Sequence, residues 1–204
     1  VLSAEFNGET VEANTPLFKS GNIQLFTWKD KEGKKAFWHS SAHVLAQTIL
    51  SLYPEAKLTI GPAIENGFYY DVDFGSLSFS ENDLSKVEKQ FLDFARDKND
   101  FKMRMSTKAD ALDFYKKENN PFKIELIEHA DFTDLCRGGH IPHTGFIKAI
   151  KLLSVAGAYW RGDEKNQQLT RIYGISFHKQ KELSEYLNLL EEEKKRDHRK
   201  LRKE

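Results

Sequence analysis

Two short segments, His39-Ser-Ser-Ala-His43 and Cys136-Arg-Gly-Gly-His140, constrain the fold of this 204-residue chain more than any other feature. Each sets a pair of imidazole or thiol side chains four residues apart, and almost a hundred residues separate the pairs. On a helix, positions four apart share one face, so His39 and His43 would project together. One site built from both pairs needs a chain that returns to that helix face after many intervening elements. Converged, the four groups could hold a zinc ion or poise a water molecule. Each residue also has a plainer reading. An isolated His-x-x-x-His is more often one core histidine and one surface residue, and a lone cysteine is more often a small buried hydrophobe. The zinc-protease arrangement is excluded, because it needs a glutamate directly after the first histidine, and Ser40 stands there.

The flanking chain reads as mixed helix and strand. Up to about Asp30 it predicts short strands broken by turns. Phe6-Asn7-Gly8-Glu9 carries an Asn-Gly hairpin signal, and the stretch from Ile23 to Trp28 is rich in β-formers. Asp30-Lys-Glu-Gly33-Lys-Lys predicts a polar turn and a boundary. Over 39–52 the apolar residues Ala42, Leu45, Ala46, Ile49 and Leu50 recur at three and four, which predicts a helix that Pro54 ends. Extended chain over 58–74 follows, with turns at Gly61-Pro62 and Asn66-Gly67. A second helix has Ser80 as its cap, Asp83 three residues on, and a stripe of Leu84, Val87, Phe91 and Phe94. A strand at 101–105 and a short helix at 109–117 behind a Thr107 cap come next. Strands at 122–127, 147–154 and 169–177 complete the middle. From about Lys181 the chain is helical, with Leu183, Leu187 and Leu190 on one side. Residues 191–204 are charged almost throughout and read as a solvated helix or linker. The predicted class is α+β, helices packed on a mainly antiparallel sheet.

Composition removes several alternatives. Lys+Arg and Asp+Glu both number 31, so no global cationic field draws in nucleic acid and any RNA contact must be a local patch. With 39% hydrophobic residues, including 15 Phe, the chain is globular rather than disordered. One cysteine excludes an internal disulfide framework and fits a reducing, cytoplasmic setting. No apolar run reaches the ~18 residues of a membrane span. Val1 stands where an initiator methionine would, so the chain reads as starting inside a longer protein.

Read together with their flanks, the two motifs resemble a known family. Phe37-Trp-His-Ser-Ser-Ala-His43, Ile60-Gly-Pro-Ala-Ile-Glu-Asn-Gly-Phe-Tyr-Tyr-Asp71 and Asp134-Leu-Cys-Arg-Gly-Gly-His140 are similar to bacterial threonyl-tRNA synthetases. So are Ala156-Gly-Ala-Tyr-Trp-Arg-Gly-Asp163, Arg171-Ile-Tyr-Gly174 and Lys195-Arg-Asp-His-Arg-Lys200, in the family's order. The resemblance covers the N-terminal part of such an enzyme. It implies that 1–33 is the end of a small β-grasp (TGS) domain and 34–190 an editing domain. Residues 191–204 would be a linker helix towards a class II catalytic domain that this chain lacks.

The resemblance also implies a chemistry: hydrolysis of the ester in mischarged seryl-tRNA(Thr), which a synthesis site cannot exclude well because one methyl is worth only ~1–3 kcal/mol. By motif position, His39, His43, Lys123, Cys136 and His140 line the catalytic pocket. Tyr70 and Asp134 hold the amino acid, with Asp134 as counter-ion of its ammonium, while Arg137 and Arg161 face the terminal nucleotides of the tRNA. His39 is favoured as the group that handles water. No metal is expected for editing. Zinc is the alternative, and it would take His39, His43, Cys136 and His140. ATP, magnesium and a further zinc would come only with the absent catalytic domain. The implied partner is the tRNA(Thr) acceptor end, the full-length enzyme would be a homodimer, this piece a monomer, and no membrane is involved. Two rival readings remain: a freestanding trans-editing deacylase, and a noncatalytic tRNA-binding appendage with structural zinc. Two departures from the family stand out. Gly139 occupies a position where proline is common, and the stretch from Leu126 to Asp131 is short.

Overall fold

A computed structural model describes residues 1–101, 106–129 and 139–201, without the side chains of 126–129 and 197–201. Of the expected strand at 101–105, all but Phe101 lies outside the described residues.

The chain opens with three antiparallel strands, β1 (Ser3–Phe6), β2 (Glu9–Val11) and β3 (Ile23–Phe26), in the order β2-β1-β3. Asn7 and Gly8 form the predicted hairpin turn, both with positive φ (52° and 81°). Helix α1 (Lys31–Leu52) follows, starting two turns earlier than its apolar periodicity predicts. The polar stretch 30–35, expected as a turn, is its first turn. Asp30 shapes the entry by accepting the Thr27 N–H at 2.7 Å and the Thr27 hydroxyl at 2.9 Å. Gly33, which signalled a loop, is there because the Thr27 carbonyl packs where a Cβ would project. An exposed helical Gly→Ala change gains roughly 0.5–1 kcal/mol. Gly33→Ala is expected to do the reverse, lowering the urea midpoint by the equivalent of ~1–3 kcal/mol of overpacking.

Helix α1 is buried almost all round, because it packs on α2 (Leu84–Arg96), on β1 and on the second sheet. Of its predicted stripe, Leu45 and Ile49 are fully buried, while Leu50 is exposed. The second sheet comprises β4 (Lys57–Leu58), β5 (Ala63–Ile64), β6 (Gly67–Asp73), β7 (Ala149–Tyr159) and β8 (Gln168–Phe177). Its order is β4-β6-β8-β7, with β5 also on β6 and every pair antiparallel. Strand β7 runs past residue 154, where Ala156, Gly157 and Ala158 pack poorly as strand residues, because pairing to β8 carries it on to Tyr159. One sheet face turns Phe68, Tyr70, Val72, Leu152 and Ile172 into the core with Phe37 and Phe91. The other face carries Tyr69, Asp71, Arg171 and Tyr173.

The predicted capping box before α2 is present in both directions between Ser80 and Asp83. Helix α3 (Lys108–Lys117) is capped by Thr107, whose hydroxyl accepts the Asp110 N–H. The expected strand at 122–127 is instead helix α4 (Pro121–His129). Alternating Phe122 and Ile124 imitated a strand. The overriding signal was Asn120-Pro121: proline suits the first helical position, and Asn120 Oδ1 accepts the Lys123 N–H at 3.1 Å as a cap. Helix α5 (Gln180–Leu201) packs Leu183 on β7 and β8, and its charged stretch 191–196 is exposed. Among the described residues no helix is long and apolar enough to cross a membrane.

Candidate functional site

Because α1 is helical through both positions, His39 and His43 share a face as their spacing requires. Their Nε2 atoms are 3.3 Å apart and their rings meet edge to face at 4.7 Å. Two imidazole nitrogens at that distance share one hydrogen, so one ring donates and the other accepts. His140 closes the group, its ring 5.0 Å from each of the others. One nitrogen from each ring lies within 4.8 Å of the other two. His39 and His43 are half-buried and His140 is buried.

The residues between the two helix histidines bring the distant loop in. Ser40, fully buried, donates to the Ala36 carbonyl at 2.8 Å and accepts the Ile141 N–H at 3.0 Å. Ser41 donates to the Phe37 carbonyl and shares a 2.6 Å hydrogen bond with the Ser176 hydroxyl. Trp38 donates its indole N–H to the Ser176 carbonyl at 3.0 Å. One turn of helix is thereby tied both to β8 and to the residue after His140. Sequence reasoning passed over Ser40 and Ser41. Their signal was two serines inside a helix, where serine competes with backbone hydrogen bonding unless tertiary partners use it. Ser40→Ala leaves the Ile141 N–H buried without its acceptor. It is expected to cost ~1–3 kcal/mol in urea unfolding.

A residue that sequence reasoning left out also reaches the site. Glu12, just past β2, is 8% exposed. Its Oε1 lies 2.8 Å from His140 Nδ1, and its Oε2 accepts the His140 N–H at 3.3 Å. Burial pushes the Glu12 carboxyl up, but hydrogen bonds from the His140 ring and backbone and from the Gly139 N–H outweigh it and hold the group below its ordinary value. Phe101 stacks on His140 at 5.2 Å with ring planes 8° apart. Gly139 has φ +77°, a backbone closed to proline, whose ring locks φ near −65°.

The other expected site residues are placed as follows. Cys136, Asp134 and Arg137 lie outside the described residues. Tyr70 is buried on β6. Lys123 is half-buried in the first turn of α4, which Asn120 ties to β4 by donating to the Leu58 carbonyl at 2.9 Å. Arg161, with φ 56°, is paired to Glu125 of α4 at 3.1 Å and lies over the Trp160 ring. Trp160 itself donates to Glu125 at 2.8 Å and packs with Phe122 and Leu169. The structure thus brings three histidines together and engages Arg161 with α4. Chemically, the trio can pass a proton and orient a water. Its three nitrogens also form a group that could hold a metal ion, and a carboxylate behind a histidine is the arrangement that orients a metal ligand.

Comparison with known proteins follows the same line. Residues 124–173 match the family described as threonyl and alanyl tRNA synthetase second additional domain. The chain is 63% identical to the threonine–tRNA ligase of Flavobacterium johnsoniae, 56% to that of Porphyromonas gingivalis and 47% to that of Caldanaerobacter subterraneus. Each match covers 100% of the chain and 33% of the relative, so the chain spans about a third of the length of these relatives. The first runs over 215 positions against 204 residues here, so that relative carries residues this chain lacks.

Proposed function

Because the chain belongs to the threonine–tRNA ligase family, matching its N-terminal third along the whole chain, we propose that the three-histidine pocket hydrolyses mischarged seryl-tRNA(Thr). The observation that carries this reading is the convergence of His39, His43 and His140 within 4.8 Å, in a chain matching a tRNA synthetase accessory domain. The ester carbonyl is attacked by a water whose proton passes to His39. The bond from the carbonyl carbon to the ribose oxygen then breaks, and that oxygen takes a proton from the imidazole group, releasing serine and free tRNA. Imidazole suits both transfers near neutral pH.

In this reading Lys123 and Cys136 complete the pocket, and Tyr70 and Asp134 hold the serine moiety. Arg137 and Arg161 serve the tRNA end, Arg161 after leaving Glu125. The threonine methyl protects the correct product by crowding the water or shifting the ester. Hydrolysis proceeds without metal. If zinc binds, His39, His43, Cys136 and His140 hold it, and it supplies a Lewis acid for the same water. The reading keeps 1–33, 34–190 and 191–204 as three units of a cytoplasmic enzyme. It assigns ATP-dependent threonine attachment, magnesium, a further zinc and homodimerisation to regions of the relatives that the chain does not cover. This chain would be a monomer.

The test is release of serine and of threonine from tRNA(Thr) by the chain, with and without chelator. Rapid loss of serine alone, indifferent to chelator, is expected. Stoichiometric metal with chelator-induced unfolding and no serine release would support the second reading, a tRNA-binding unit with structural zinc, which the grouping of the three histidines also fits.

A further inference from the structure

We propose that Glu12 is a positioning residue of the histidine pocket: it sets the tautomer and angle of His140, which makes the N-terminal sheet a wall of the site rather than an appendage to it. Glu12 stands 128 residues before His140 in the chain, yet its two oxygens take both the ring Nδ1 and the backbone N–H of that one residue. A carboxylate at 8% exposure is costly to bury unless such donors meet it.

The consequence for the ring follows from what each group can do. An ionised carboxylate only accepts, so the hydrogen of the pair sits on His140 Nδ1. That leaves Nε2 as the nitrogen with which the ring serves the pocket. Phe101 stacked on the ring face and Glu12 at its edge together restrict rotation. Holding both ring and backbone also fixes the height of the loop over α1, where the Ser40 hydroxyl takes the next N–H in the chain. Glu12 therefore acts on the chemistry through His140 and need not touch substrate. Its effect on rate rests on the deacylation reading; its effect on the tautomer does not.

A plain structural staple between two parts of the chain would use the same contacts, and the two roles separate in measurement. The chain is labelled with 15N-histidine, and the ring nitrogens of His140 are assigned by their loss in His140→Gln. Wild type, Glu12→Gln and Glu12→Asp are then compared by long-range proton–nitrogen correlation, thermal melting and steady-state serine release. In wild type, Nδ1 is expected to be the protonated nitrogen. In Glu12→Gln the hydrogen redistributes to Nε2, and kcat falls by about 10–100-fold with KM little changed. Glu12→Asp keeps the carboxylate, restoring the tautomer and part of kcat. An unchanged His140 tautomer in Glu12→Gln overturns the proposal, as does a lowered melting temperature with unchanged kcat. If the wild-type chain releases no serine but the tautomer still shifts, the deacylation reading fails and the positioning of His140 by Glu12 stands.

Discussion

Asparagine in place of His39 is expected to slow serine release from seryl-tRNA(Thr) by about 10²–10⁴-fold, the usual contribution of a positioned general base. Asparagine keeps a polar side chain of similar reach but cannot take up a proton. The helix should tolerate it, because Trp38, Ser40 and Ser41 dock α1 through hydrogen bonds of their own. His39 is half-buried, so no sealed cavity results. Melting curves and serine-release rates are to be read on the same preparation. A wild-type rate in His39→Asn would move the water-handling role to another group, with His43 next in line through the shared hydrogen at 3.3 Å.

The second large effect is on stability. Arg171→Met is expected to cost ~3–5 kcal/mol, the penalty for stranding a buried charge. Asp71 and Arg171 stand opposite each other on β6 and β8, joined by two hydrogen bonds of 2.7 and 2.8 Å. The Asp71 side chain is 4% exposed, and the guanidinium also lies 3.9 Å over the Tyr69 ring. Hydrogen bonding to Asp71 and Tyr173, with the Asp71 charge, raises the Arg171 pKa against a lowering by burial. Against a typical total of about 5–15 kcal/mol, its breakage should be visible as a large drop in the urea midpoint. The double variant Asp71→Leu/Arg171→Met should recover much of that loss, because it removes both charges at once. If the double variant is as unstable as the single, the loss belongs to packing on Tyr69 and not to the stranded carboxylate.

Where sequence reasoning succeeded and failed follows from the range of the interactions involved. Hairpin chemistry at Asn7-Gly8, the caps at Ser80 and Thr107, and the stripes of α2 and α5 are local, and each stands where its pattern put it. The error at 122–127 came from weighing the alternation of Phe122, Ile124 and Leu126 above the Asn120-Pro121 start signal beside it. The late start assigned to α1 came from Gly33, whose reason for being glycine is a carbonyl six residues back that only the folded chain brings close.

For the site, the spacing of His39 and His43, taken with the helical pattern of the apolar residues that follow, determined that they share a helix face. It left open what faces them. That was decided in three dimensions, where Ser40 draws in the backbone after His140 and Glu12 grips His140 from the first sheet. Neither tie leaves a periodic trace in the sequence. A single hydrogen-bond acceptor acting across more than a hundred residues obeys the geometry of the packed chain, not any repeat within it.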